Sequence, residues 1–278
     1  MRAGTKSAAK LAPYTVWSVI FIVVPLLVVV YYSFTDKSGA FTLANLSQVW
    51  IYRYSFMISI GYALAATVVC LLIAYPFAYF MTKSKLSYQR TMMLLIMLPM
   101  WMNMVILVNS WTTLLRDNGV INTLLGKLGI GPAGLMYNAF GVILGMVYCY
   151  LPYMILPIYS ILSKLDISLI EASADLGANA FARFRRVILP LSMPGVVSGI
   201  TMVFVPSIST FYISQALGDN TQNKMIGDFI ESFFKGSSGV MNYNYGAALS
   251  LILMIFIIIS LAIMNRFSSD NDDGGVLI

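Results

Sequence analysis

The chain contains no histidine, and only 10% of its 278 residues are Asp, Glu, Lys or Arg. Without imidazole, the most frequent general base and the commonest transition-metal ligand are both missing. The shortage of charge excludes more: a water-soluble globule usually carries about a quarter charged residues. Cysteine is scarce too, and Cys70 and Cys149 both fall inside apolar runs, where they read as packing residues. The phosphate-cradling pattern G-x-x-x-x-G-K-[ST] is absent, so this chain does not itself read as an ATPase.

What the chain has in abundance is apolar surface: 59% hydrophobic residues and a mean hydropathy of +0.82. Its apolar runs approach the roughly 20 residues with which a helix crosses a bilayer, and they lack the alternation of a β-barrel. The expectation is an all-α integral membrane protein with six spans, at about 14–34, 55–81, 91–115, 139–162, 187–213 and 245–264. Pro25 is expected as a local kink in the first. Pro99 and Asn103 are placed inside the third. The first 13 residues carry Arg2, Lys6 and Lys10, and the run behind them is too long for a cleaved signal peptide, so it reads as a retained span. Asp117-Asn118-Gly119 signals a turn, and Asn122–Leu128 a short amphipathic helix on the membrane surface. Residues 268–278, with Asp270, Asp272 and Asp273, read as a disordered tail.

Orientation follows from the basic residues. With the N-terminus inside, eleven Lys and Arg fall on cytoplasmic segments and six outside, which favours cytoplasmic termini and places loop 163–186 in the cytoplasm. The net charge of +6 then needs no nucleic acid as its partner. Almost no ionisable side chain lies inside a span, which argues against a proton- or sodium-coupled carrier. Polar residues within spans, such as Asn103, Asn109, Ser207, Ser209, Thr210 and Tyr212, either line a path or bond between helices.

Charge concentrates instead between spans four and five, where Asp166, Glu171, Asp175, Arg183, Arg185 and Arg186 occur together. Ser168-Leu169-Ile170-Glu171 fits a capping box, with Asp166 as a competing cap, and Gly177 is a natural terminator. A helix of two to three turns results, too short to stand alone in water. Asn179 is positioned to cap a second, returning helix with Phe181, Phe184 and Ile188 in an apolar stripe, and Pro190 and Pro194 mark the entry to span five. From spacing alone the segment is equally an amphipathic linker with snorkelling basic residues.

Glu171-Ala172-Ser173, then Gly177, then Val187-Ile188-Leu189-Pro190 resembles the EAA loop of ATP-binding-cassette importer permeases, with Ser173 in place of the second alanine and Val187 in place of isoleucine. Tyr75-Pro76-Phe77-Ala78-Tyr79, Leu151-Pro152-Tyr153-Met154, Pro190-Leu191-Ser192-Met193-Pro194-Gly195 and Tyr245-Gly246-Ala247-Ala248 extend the likeness along the whole chain to the first permease of spermidine/putrescine importers. The resemblance implies the type I importer permease fold with a cytoplasmic coupling helix, in a bacterial cytoplasmic membrane. It implies four kinds of partner: a second homologous permease, two ATP-binding subunits, an extracytoplasmic substrate-binding protein and the lipid bilayer. It implies no catalytic residue, metal or cofactor on this chain, with ATP and Mg on the partner ATPase. Glu171, Ala172, Ser173, Asp175, Leu176 and Gly177 would couple to the ATPase. For a cationic polyamine, Trp101, Tyr148, Tyr150, Phe211 and Tyr212 are candidate path residues, with Asp219, Asp228 and Glu231 on the outer side. The same residues fit interfacial anchors or helix packing. An importer permease for another small solute, an ion-coupled carrier and a membrane scaffold are the alternatives.

Overall fold

Proline and small residues decide where these helices bend and where they touch. The computed structural model describes residues 13–129, 133–219, 224–236 and 241–272. The N-terminal arm expected at 1–13 lies outside them except for Pro13. Among the described residues five helices are long and apolar enough to cross a membrane, and the number is six if one bent pair counts as a single span.

The chain forms two compact units. One consists of 1–54 and 229–256. It begins with α1 (Pro13–Ser33), in which no residue before Ser33 is buried. The expected kink at Pro25 takes the form of one π turn, Val19–Val23, where the Val24 amide reaches back to Val19. A proline two residues on cannot donate, and its ring crowds the preceding turn; a wider turn accommodates both. Two amides then satisfy carbonyls at the end of α1: Asn45 donates to Thr35 at 2.8 Å, and Asn244 donates to the same oxygen at 2.6 Å. Asp36 closes the turn that follows, accepting from the Ser38 hydroxyl and amide and from the Ala40 amide. Those donors, the Ser38 hydroxyl foremost, hold its carboxyl below the usual range. Tyr52 stacks against Phe229 and Phe233, whose ring also meets Tyr245.

The other unit comprises 55–228 and 257–278. Its elements are α2 (Arg53–Thr82), α3 (Leu86–Trp101), α4 (Met104–Leu115), α5 (Val120–Lys127), α6 (Ala139–Leu162), α7 (Ile167–Asp175), α8 (Ala180–Ser209), α9 (Tyr212–Leu217), the start of α10 (Ile226–Lys235) and the last part of α11 (Tyr243–Asp272). The core is the seam of α6 and α8. A Cβ on Gly195 would stand 2.8 Å from the Pro157 carbonyl, and one on Gly199 2.7 Å from the Met154 sulfur. Two glycines one turn apart thus let the backbones approach, the usual way helices associate where no hydrophobic force separates lipid from protein. Cys70 packs in this core as a small hydrophobe, as expected.

Several boundaries differ from the sequence reading. The third span is broken: Leu86–Trp101 and Met104–Lys127 meet at 96°. Pro99 removes one ladder donor, Met102 is extended, and Asn103 accepts the Val105 amide at 2.8 Å to start a new helix. The short helix expected at Asn122–Leu128 is present as α5, beginning at Val120, and within it Asn122 is buried, bonded to Arg116 and Ala133. The fifth span begins at Ala180 without a break at Pro190, because a π turn at Phe184–Ile188 absorbs that proline as at Pro25, and it ends at Ser209 instead of Ile213. The tail expected from Ser268 begins as helix through Asp272, since nothing before the Gly274-Gly275 pair interrupts it. Residues 273–278 lie outside the described residues.

Candidate functional site

α7 is defined by its ends. Asp166 is extended and its carboxylate accepts the Ser168 amide at 2.9 Å. The competing cap therefore wins over the Ser168–Glu171 box: a carboxylate two residues before the second helical amide reaches it directly, and its charge suits the positive helix end. The Ser168 amide is the main reason that the Asp166 carboxyl lies below its ordinary value. At the other end Gly177 has φ +80°, the Gly177 amide donates to Ala174 and the Ala178 amide to Ser173. This is a Schellman closure, and no side chain blocks a Cβ there; only the backbone conformation demands glycine. Asn179 then accepts the Ala182 amide at 2.8 Å and opens α8, as expected.

The inner side of α7 is held by Ile170, packed with Leu165 against the core, and by half-buried Ser173. Its outer side is left open: Leu169 is exposed, Leu176 is 89% exposed, and Phe181 at the start of α8 is 71% exposed. Glu171, Ala172, Asp175 and Gly177 are exposed around them. The expected stripe on the return helix is thus divided, with Phe184 and Ile188 turned inward and Phe181 out. Phe184 sets its edge against Tyr75 at 5.5 Å and Tyr79 at 6.2 Å, and the Tyr75 hydroxyl meets Ser192 at 2.7 Å.

A second group of residues gathers around the broken span. Trp101, 72% exposed, ends α3 beside the break, and Asn103 begins α4. Asn109 on α4 accepts the Tyr212 hydroxyl at 3.2 Å. Tyr148 packs on Trp111 with ring centroids 5.0 Å apart. Phe211 occupies the irregular link between α8 and α9 and is part-exposed. Tyr150 is withdrawn into the core. The surface is neutral: phenol, indole and amide oxygens that can face a cation without holding it by charge. Among the described residues no cluster of three His, Cys, Asp or Glu is arranged to bind a metal.

The three acids expected on the outer side each have their own local setting. Asp228 is 5% exposed and accepts the Ser214 hydroxyl at 2.7 Å and the Met225 amide at 2.9 Å. The Ser59 hydroxyl accepts the Ile226 amide beside it at 2.8 Å. Asp228 thus pins the start of α10 to α9, a structural task rather than a place on an open vestibule. Glu231 pairs with Lys235 one turn later. Asp219 lies in the link after α9, half-buried. Sequence reasoning missed Trp111, Ser59, Ser192 and Ser214, because a small hydroxyl or a buried ring inside an apolar run has no local signature.

The model of the family described as binding-protein-dependent transport system inner membrane component matches residues 74–271. The spermidine/putrescine transport system permease protein PotB of Haemophilus influenzae is 36% identical over 260 residues, spanning 90% of each chain. Its Escherichia coli namesake is 34% identical over 91% of this chain and 94% of the relative. The inner membrane ABC transporter permease protein YdcU of Escherichia coli is 30% identical over 86% of this chain and 81% of the relative. Among solved structures, a bacterial ABC transporter that imports the acidic polysaccharide alginate matches with a TM-score of 0.70 at 17% identity, covering 95% of this chain and 94% of the other. The MetNI methionine ABC transporter matches with a TM-score of 0.60 at 14% identity, covering 81% and 98%.

Proposed function

The chain belongs to the family of binding-protein-dependent transport system inner membrane components, and from that premise we propose that it is one of two pore-forming permeases of an ATP-driven polyamine importer. The observation that carries the coupling role is α7: capped at both ends, too short to be stable alone, and presenting Leu169 and Leu176 outward. An apolar, rigidly terminated knob of this kind fits a groove on a cytoplasmic ATPase, with Glu171 bonding a cationic or amide group at its edge. ATP and Mg bind on that partner, where two copies close on each other and rotate the paired permeases between inward- and outward-open states. The loop 163–186 and both termini are cytoplasmic in this arrangement.

The polyamine assignment is supported by the spermidine/putrescine permeases matched across nine-tenths of the chain and by the neutral aromatic surface at the break. Irregular backbone at membrane depth is tolerated where it lines a cavity or is covered by protein. The link at Met102 and Asn103 fits a translocation path shared with a second, homologous permease, with Trp101, Tyr148, Phe211 and Tyr212 offering faces to successive ammonium groups. A path without strong charge passes on what a binding protein has delivered. The alginate transporter was solved with a pentasaccharide-bound periplasmic protein, which supports delivery of this kind here.

The test is uptake by the co-purified complex in proteoliposomes. Labelled spermidine and putrescine, supplied with the binding protein, are expected to accumulate only with ATP inside. Uptake by this chain alone would indicate a carrier. ATP-dependent uptake of another solute that spermidine does not compete would overturn the substrate while leaving the importer.

A further inference from the structure

Behind α7, at the ends of α2, α3, α6 and α8, lies a cavity of about 490 Å³ whose walls carry Lys83 and Arg183. Among the described residues neither cation has a carboxylate within ion-pair distance. The Lys83 ammonium rests 4.3 Å from the centre of the Tyr79 ring, so it is held at the wall of the cavity. The remaining lining is largely apolar, with Leu162, Leu165, Ile170 and Ile188.

One wall is a fixed partition. Gln89 donates to the Thr82 and Ser84 carbonyls at 3.2 and 2.8 Å and accepts the Tyr159 hydroxyl at 2.8 Å. These bonds cover the carbonyl end of α2, which would otherwise repel an anion. Gln89, common to both, also lines a second, shallower groove of about 390 Å³, formed with Tyr159, Leu86, Met93 and Leu94 and with Arg90 at its edge. A basic chamber and an apolar groove thus share Gln89 as a wall, at one end of the helix bundle.

We infer that this pair of cavities holds one anionic phospholipid, its phosphate between Lys83 and Arg183 and an acyl chain along Leu86 and Leu94. Two unpaired cations call for an anion, and the adjoining apolar groove selects a lipid over a free one, which would leave the groove empty. Basic pockets between helices at the cytoplasmic face suit such headgroups. The assignment of this end to the cytoplasmic leaflet rests on the orientation proposed above. Because Ile167 and Ile170 of α7 line the same chamber, a bound lipid supports the coupling helix from behind.

The experiment places the full complex in nanodiscs of equal phosphatidylglycerol and phosphatidylcholine and measures the lipids retained after extraction by native mass spectrometry. It uses no polyamine and no ATP, so failure of the transport proposal leaves its outcome interpretable. Phosphatidylglycerol is expected to be retained in preference, and Lys83→Gln with Arg183→Gln to lower that preference by about five- to twenty-fold. Lys83→Arg with Arg183→Lys is expected to restore it, which separates lost charge from a lost fold. Leu94→Asp is expected to reduce retention of both lipids. An unchanged ratio in the double glutamine variant would overturn the site. So would inorganic phosphate shielding Lys83 from an amine reagent as well as phosphatidylglycerol does, which would show a free-anion site.

Discussion

Asp166 and Asp228 use the same chemistry at the starts of two helices and serve opposite ends. Each carboxylate accepts a backbone amide. Asp166 does so in the open, on a helix that leaves Leu169 exposed and is followed by exposed Leu176. Asp228 does so in the interior, where Ser214 adds a second bond and Ser59 secures the neighbouring amide. The first cap shapes an exposed surface. The second fixes the protein to itself. Burial, not the motif, separates the two.

The comparison breaks most readily at Asp228. Replacing it with Ala leaves the Ser214 hydroxyl and the Met225 amide unpaired in the interior, and about 3 kcal/mol of stability is expected to be lost. A large fall in the thermal midpoint of the purified complex checks this, and Asp166→Ala is expected to leave that midpoint nearly unchanged. Equal shifts would mean that the two aspartates are not distinct in role.

Gly177→Val is expected to act next most strongly, and on α7 alone. The residue would enter a left-handed conformation at a cost of roughly 1–2 kcal/mol, although space for its side chain is free. Loss of ATPase-subunit association at an unaltered thermal midpoint is the expected readout. Gly177→Asn, which tolerates that conformation, is expected to retain association. If valine left both association and transport intact, the coupling role of this helix would fall.

Leu176→Ser tests the outward face without touching a fold contact. About a tenfold weaker association with the ATPase is expected, measured by co-purification against subunit concentration, with no change in unfolding.

The smallest effect is a pH dependence. The Asp166 carboxyl titrates below its ordinary value of 3.8 in the folded chain. Its cap is therefore fully present above that value and is lost only as pH falls through the lower, folded value. Hydrogen exchange at the Ser168 amide is expected to need no cap correction between pH 6 and pH 8, and to lose protection in strong acid unless Asp166 is replaced by Asn. Loss of protection near neutrality would show that another group holds this helix end.

Local chemistry made some of this visible in one dimension. Asn179 and Gly177 announce a helix start and a helix stop because capping depends on residues within four positions of each other. The helix Ala139–Leu162 was legible, since its apolar run is bounded by Asn138 and by Ser163-Lys164. The break at Asn103 was not. Pro99 and Asn103 were in plain view, but whether a proline bends, widens or interrupts a membrane helix depends on what neighbouring segments can satisfy. At Pro25 and Pro190 the answer was a π turn, and at Pro99 it was a 96° bend.

Composition and spacing by themselves determined a multi-span helical chain carrying one short, doubly capped helix, because hydropathy and caps are properties of neighbours along the chain. Which aspartate is buried, which aromatic rings face outward, and that Lys83 and Arg183 share a chamber behind α7 were decided only by the tertiary structure. Those facts depend on helices far apart in sequence coming together, and an apolar run records that it will be buried without recording against what.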